Sequence, residues 1–202
     1  EMSSCDWSSD VCSSDLPDDA KDVETLISHA DTAMYYAKEH GRDSVRFFTP
    51  EMNALLLERR ALEGGLPGAL ERQEFVLHYQ PKVELRTGRM IGAEALIRWR
   101  HPERGLVAPH TFIPVAEECG LIVPIGQWVQ REACRQAVAW RAAGLRPVPI
   151  AVNISALEFR GKGFFEGVRR VLTETGLDPS LLELELTESV LMESVASTAE
   201  IL

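Results

Sequence analysis

From Glu74 onward the chain repeats one alternation: a short apolar run with a polar residue at every second position, then a helical stretch often closed by glycine. In extended backbone, side chains two residues apart share a face. Over 182–187, Leu182, Leu184 and Leu186 alternate with Glu183, Glu185 and Thr187. Over 150–155, Ile150, Val152 and Ile154 take one face while Asn153 and Ser155 take the other. Over 90–100, Glu94 and Arg98 fall on the same side. Each run therefore predicts a strand with one face for packing against helices and one face for chemistry.

Between these runs lie helical patterns. One runs from about Thr111 to Ala143 with a turn near Gly120; another covers 163–175 and stops at Gly176; a third begins near Met192. Strands separated by helices pair in parallel through crossovers. The first two strands, predicted over 75–80 and 90–99, are joined by the turn at Thr87-Gly88 and must be antiparallel. The expected class is α/β with a mixed sheet. Three neighbouring strands would then aim Glu94, Asn153 and Glu185 at a common interior near their C-terminal ends, where α/β barrels place active sites.

Two carboxylates and an amide oxygen are hard donors suited to Mg²⁺ or Mn²⁺. Burying them without a cation would cost several kcal/mol in desolvation and repulsion. Taken singly these residues have plainer readings: Glu94 with Arg98 makes an ion pair, and Glu183 makes a solvated or salt-bridged face. His78, His101 and His110 lack metal-ligand spacing and are expected in structural or surface roles. Trp99, Trp128 and Trp140 fall at packing positions.

Four motifs, HYQP at 78–81, EALIRW at 94–99, VNIS at 152–155 and ELELTES at 183–189, stand in an order and spacing that resembles the EAL-domain phosphodiesterases of cyclic di-GMP. The resemblance implies a modified (β/α)8, TIM-like barrel with a first antiparallel strand. It implies metal-ligand roles for Glu94, Asn153 and Glu185, and a phosphate-gripping role for Arg98. Gln80 would line the substrate pocket, and Glu188 would anchor the loop beside the site. The implied reaction is metal-dependent hydrolysis of one phosphodiester bond, giving pGpG. The family also uses an Asp-Asp pair, a Lys and a further Glu on later strands, beyond Leu202. An intact barrel needs about 250 residues, so the expectation is an incomplete barrel, inactive as a 202-residue chain. Two other classes fit the same residues: a non-catalytic cyclic di-GMP receptor, and a truncated gene product without function. A homodimer is the expected state of the intact parent.

The remainder divides by composition. Residues 1–16 are Ser/Asp-rich without periodicity and resemble a translated sequencing adapter, so they are expected to be an artefact or disordered tail, and Cys5 and Cys12 no disulfide. In 17–48, Leu26, Ala30, Ala33, Met34 and Ala37 recur at helical spacing before Gly41, and 45–48 is a strand candidate. ADTAMYYAKEHGRDSVRFF there resembles the closing helix and strand of a GGDEF (diguanylate cyclase) domain. A connector helix is expected over 50–63 within a linker at 49–68, ending at the cluster Gly64, Gly65, Pro67 and Gly68, with the EAL unit over 69–202.

Bulk properties exclude several classes. A net charge of −10 opposes loose binding to DNA or RNA backbone. No apolar run reaches the roughly 18–20 residues of a membrane span. That fits a cytoplasmic location for this portion and is compatible with a membrane-anchored sensory region elsewhere in the parent. Cys119 and Cys134 lack metal-ligand spacing and read as buried, reduced thiols.

Overall fold

The computed structural model describes residues 12–13, 22–39 and 46–186. Thr187, Glu188, Gly41 and the helix expected near Met192 lie outside the described residues. The chain forms two compact units, 1–62 and 63–202.

In the first unit, α1 (Val23–Glu39) follows Asp22, whose carboxylate accepts from the Thr25 N–H and hydroxyl. These bonds to N–H and hydroxyl hold the Asp22 carboxyl below its usual range. The His29 ring stacks on Phe48 at 3.6 Å between centroids. Within the segment expected to lack structure, β1 (Cys12–Ser13) pairs in parallel with β2 (Arg46–Phe47). The connector helix α2 spans Pro50–Gly65, two residues past its predicted end. Its last residue, Gly65, lies where a Cβ would sit 3.1 Å from the Trp99 ring.

The second unit is a five-stranded sheet backed by helices. Its elements are β3 (Phe75–Val83), β4 (Met90–His101), β5 (Gly105–Val107), α3 (Pro109–Glu118), α4 (Ile122–Ala142), β6 (Ile150–Ile154), α5 (Ala156–Phe159), α6 (Phe164–Thr175) and β7 (Leu182–Leu186). The main path is β3-β4-β6-β7, with β5 beside β4. β3 and β4 are antiparallel, as their hairpin requires; β4, β6 and β7 are parallel, as the helical crossovers require. The sequence pattern does not reveal β5. It pairs Trp99 with Val107 and His101 with Gly105, and three residues are too few to display a period.

The predicted alternation is visible in the burial of β4; on β6 Ala151 of the opposite face is buried as well, and the leucines of β7 are half-buried. Ala93, Ala95, Ile97 and Trp99 of β4 and Ile150, Val152 and Ile154 of β6 are buried against the helices. Trp99, fully buried, packs with Phe75 and Phe112, and Phe75 also meets Trp128. Its indole N–H donates to Glu74 Oε2 at 2.9 Å, and Arg72 ties Glu74 to the Gly65 carbonyl. Trp140 meets Tyr79 edge-on. His101 Nδ1 accepts the N–H groups of Glu103 and Arg104, capping the turn into β5. Cys134 is buried as expected, whereas Cys119, at the C-cap of α3, is exposed.

Candidate active site

Register brings the predicted residues onto one face. Antiparallel pairing sets Gln80 of β3 opposite Glu94 of β4. Parallel pairing sets Glu94 beside Ala151 and Asn153 beside Glu185. Asn153 Nδ2 reaches diagonally to donate to Glu94 Oε1 at 2.7 Å. Glu94, Asn153 and Glu185 thus form a line across three adjacent parallel strands.

Arg98, two side-chain positions beyond Glu94 on the same face, donates from Nη1 to the Ile97 carbonyl at 2.8 Å. Among the described residues its guanidinium pairs with no carboxylate, so the plain reading of a Glu94–Arg98 ion pair is not what forms. The remaining edge of a planar, permanently charged fork stays available for an anion. Gln80 is exposed opposite Glu94.

Two groups at the site escape sequence reasoning. The strand predicted over 75–80 continues through Pro81, which an edge strand tolerates because its missing N–H leaves no ladder bond unmade. That extension puts Lys82 on the face of Gln80. Lys82 Nζ pairs with Glu185 Oε1 at 2.5 Å and with Glu183 Oε2 at 3.5 Å. The hydrogen bond to Glu185 raises the Lys82 pKa above the usual lysine value. The period of two from Gln80 was the available signal.

The second group lines a cavity of about 510 Å³ between the middle of β4, the C-terminal end of β6 and helices α3 and α4. Ile113, Ile122 and Val129 make its wall apolar, and Asn153, Ser155, Glu117 and Glu158 are its polar members. Glu158 is the third residue of α5 and closes a capping box with Ser155, its Oε2 accepting from the Ser155 N–H and hydroxyl. Its Oε1 is buried without a hydrogen-bond partner. Gly126 of α4 makes room for it: a Cβ there would fall 1.7 Å from Glu158 Oε1. Burial raises the Glu158 pKa, the Ser155 bonds oppose that, and Glu117 adds to it. Glu117 is itself raised, by burial and then by Glu118. S-x-x-E at 155–158 was legible as a capping box; that its second oxygen is buried against Gly126 was not.

The donor set fits a divalent cation. Glu94 and Glu185 present hard carboxylate oxygens on one face, and rotation of the Asn153 amide would add a third; the protein's own ammonium already sits against Glu185. No group of three or more His, Cys, Asp or Glu that could hold a metal ion occurs among the described residues. No described helix is long and apolar enough to cross a membrane.

Several known proteins are similar to this chain. The chain is 48% identical over 186 residues to the bifunctional diguanylate cyclase/cyclic di-GMP phosphodiesterase MucR of Pseudomonas aeruginosa, covering 92% of this chain and 27% of that protein. It is 46% identical over 178 residues to the cyclic di-GMP phosphodiesterase PdeR of Escherichia coli, covering 88% of this chain and 27% of that one. The chain therefore spans about a quarter of the length of these curated relatives. Among solved structures, the PaMucR phosphodiesterase in complex with c-di-GMP superposes with a TM-score of 0.68 at 50% identity, covering 70% of this chain and 57% of that one. The FimX EAL domain of Xanthomonas citri in complex with c-di-GMP gives 0.61 at 26% identity, covering 71% and 55%. The EAL domain family model matches residues 63–202, and the chain belongs to that family.

Proposed function

We propose that residues 63–202 supply one side of a metal-dependent cyclic di-GMP phosphodiesterase site within an incomplete modified (β/α)8 barrel. The observation that carries this is the line of Glu94, Asn153 and Glu185 across three parallel strands, with Arg98 beside it on the same face. Those three residues hold a divalent cation, Mg²⁺ or Mn²⁺, which when bound supplies charge to neutralise phosphate oxygens and to acidify an attacking water.

The rest of the work falls to the chain's own groups. The free edge of the Arg98 guanidinium grips a non-bridging phosphate oxygen. Gln80 lies at the rim opposite Glu94 and contacts the nucleotide. The cavity beside Asn153 accommodates one purine base, with Glu117 accepting from base N–H groups. The relatives named above carry the activity in their names, which supports the substrate. A cyclase-type (GGDEF) domain preceding this unit is supported by the MucR alignment, which is longer than the EAL match.

The test is calorimetric titration of cyclic di-GMP into the 202-residue chain with Mn²⁺, alongside chromatography for pGpG. Metal-dependent binding that is lost in Glu94→Ala and Arg98→Ala supports the reading; binding indifferent to metal and to both substitutions overturns it. Binding with no pGpG formed identifies the chain, taken alone, as a receptor.

A further inference from the structure

The Lys82 side chain crosses the sheet. β3 and β7 are three strand steps apart, about 14 Å along a flat sheet, and the register displaces Lys82 further still from Glu185. A lysine and a glutamate meet over that span only because the sheet curls and its concave face shortens the chord. The path is cleared by residue choice. On β4 the residue opposite Lys82 is Gly92, whose missing Cβ would lie 3.5 Å from Lys82 Cδ and 3.3 Å from the Pro149 carbonyl oxygen. On β6 the residue of the same face is Ala151. A register shift between Lys82 and Val83 marks a bulge at this point, a device that re-aims a side chain.

We propose that Lys82 is a built-in competitor for the cation site at Glu185. Its ammonium must leave that carboxylate before a divalent cation takes it, and Glu183 is the carboxylate that then receives it. The proposal rests on the metal-site reading given above. Glu185 Oε1 is in contact with Lys82 Nζ, and two cations in contact with one carboxylate oxygen repel. Glu183 is on the same strand face, already 3.5 Å from the same ammonium. Both carboxylates are part-exposed, at 40% and 50%, so exchange between them requires no burial. Glu94 is held by Asn153 instead, so the competition falls on one ligand of the set. Lys82 is thereby a positioning residue that sets metal affinity, while Glu183 gains a role that a solvated face would not have.

Mn²⁺ binding to the 202-residue chain, read by calorimetry, tests this without any turnover. Lys82→Met keeps the stem over Gly92 and removes the charge; it is expected to tighten Mn²⁺ binding roughly three- to tenfold, the scale of a part-exposed ion pair. Lys82→Arg keeps the charge and should not gain. Glu183→Gln should weaken binding in the parent chain and have a far smaller effect in the Lys82→Met background, because displacement then needs no receiving carboxylate. Circular dichroism confirms that each variant folds. The proposal is overturned if Lys82→Met leaves affinity unchanged or weaker. It is equally overturned if Glu183→Gln acts by the same factor in both backgrounds, which is plain electrostatics. Glu185→Gln separates the two layers. If it abolishes Mn²⁺ binding while Lys82→Met changes nothing, the metal site stands and the competitor falls. If Glu185→Gln leaves Mn²⁺ binding intact, or no variant binds, both fall.

Discussion

Asn153 turns the nitrogen of its amide toward Glu94, with Nδ2 donating to Oε1 at 2.7 Å across the β4–β6 pair. A cation shared by these two residues needs the amide oxygen instead, so loading requires the amide to rotate. Replacing it with a carboxylate makes the metal indispensable. In Asn153→Asp the hydrogen bond becomes a like-charge contact between neighbouring strands, a loss of roughly 1 kcal/mol. Thermal unfolding should show Asn153→Asp melting below the parent chain in EDTA and gaining more than the parent from Mn²⁺. An equal gain in both would place the cation elsewhere.

The buried Glu158 carboxyl makes stability depend on pH with an unusual sign. Burial raises its native pKa above the ordinary 4.5, so the folded state keeps the proton longer than the unfolded state. Stability therefore falls as pH rises from about 4.5 to the raised native value, then levels. Glu158→Gln keeps a capping-box side chain without the charge. Urea unfolding of both proteins between pH 4 and pH 8 should give a variant whose advantage opens across that window; parallel curves would remove Glu158 as the cause.

Gly126 is fixed by the same carboxyl. A methyl at this position would overlap Glu158 Oε1 at 1.7 Å. Although alanine is the better helix former, overpacking a buried site costs about 1–3 kcal/mol. Gly126→Ala is thus expected to lower the urea midpoint, whereas Gly167→Ala, with open space around its missing Cβ, should leave it level or raise it.

How much of this was legible depends on periodicity. Leu182 to Leu186 and Ile150 to Ile154 announce their faces by alternation, and the antiparallel and parallel pairings follow from the Gly88 turn and the helices between strands. Glu94, Asn153 and Glu185 were readable because a polar residue inside an apolar strand run stands out. Lys82 was hidden because Pro81 reads as a strand end and Val83 to Thr87 is already loop-like in composition. The Lys82–Glu185 pair spans 103 residues, a distance only the curled sheet closes. Glu158 was hidden differently: its local motif explains Oε2 completely, while Oε1 depends on Gly126, a helix away.

Arg98 separates charge from shape. Its Nη1 is tied to the Ile97 carbonyl, which fixes the plane of the guanidinium and leaves its other N–H groups for an anion. Lysine supplies the same charge as a mobile point without the fork. A charge-assisted hydrogen bond contributes about 1.5–3 kcal/mol. Arg98→Lys should therefore weaken cyclic di-GMP binding in Mn²⁺ by roughly ten- to a hundredfold. The melting temperature should hardly move, since the side chain carries no ion pair among the described residues. Calorimetry with cyclic di-GMP checks the first part and a thermal melt the second. An unchanged affinity would show that Arg98 meets the phosphate as a diffuse charge, and a large fall in melting temperature would move it from the binding face into the framework of β4.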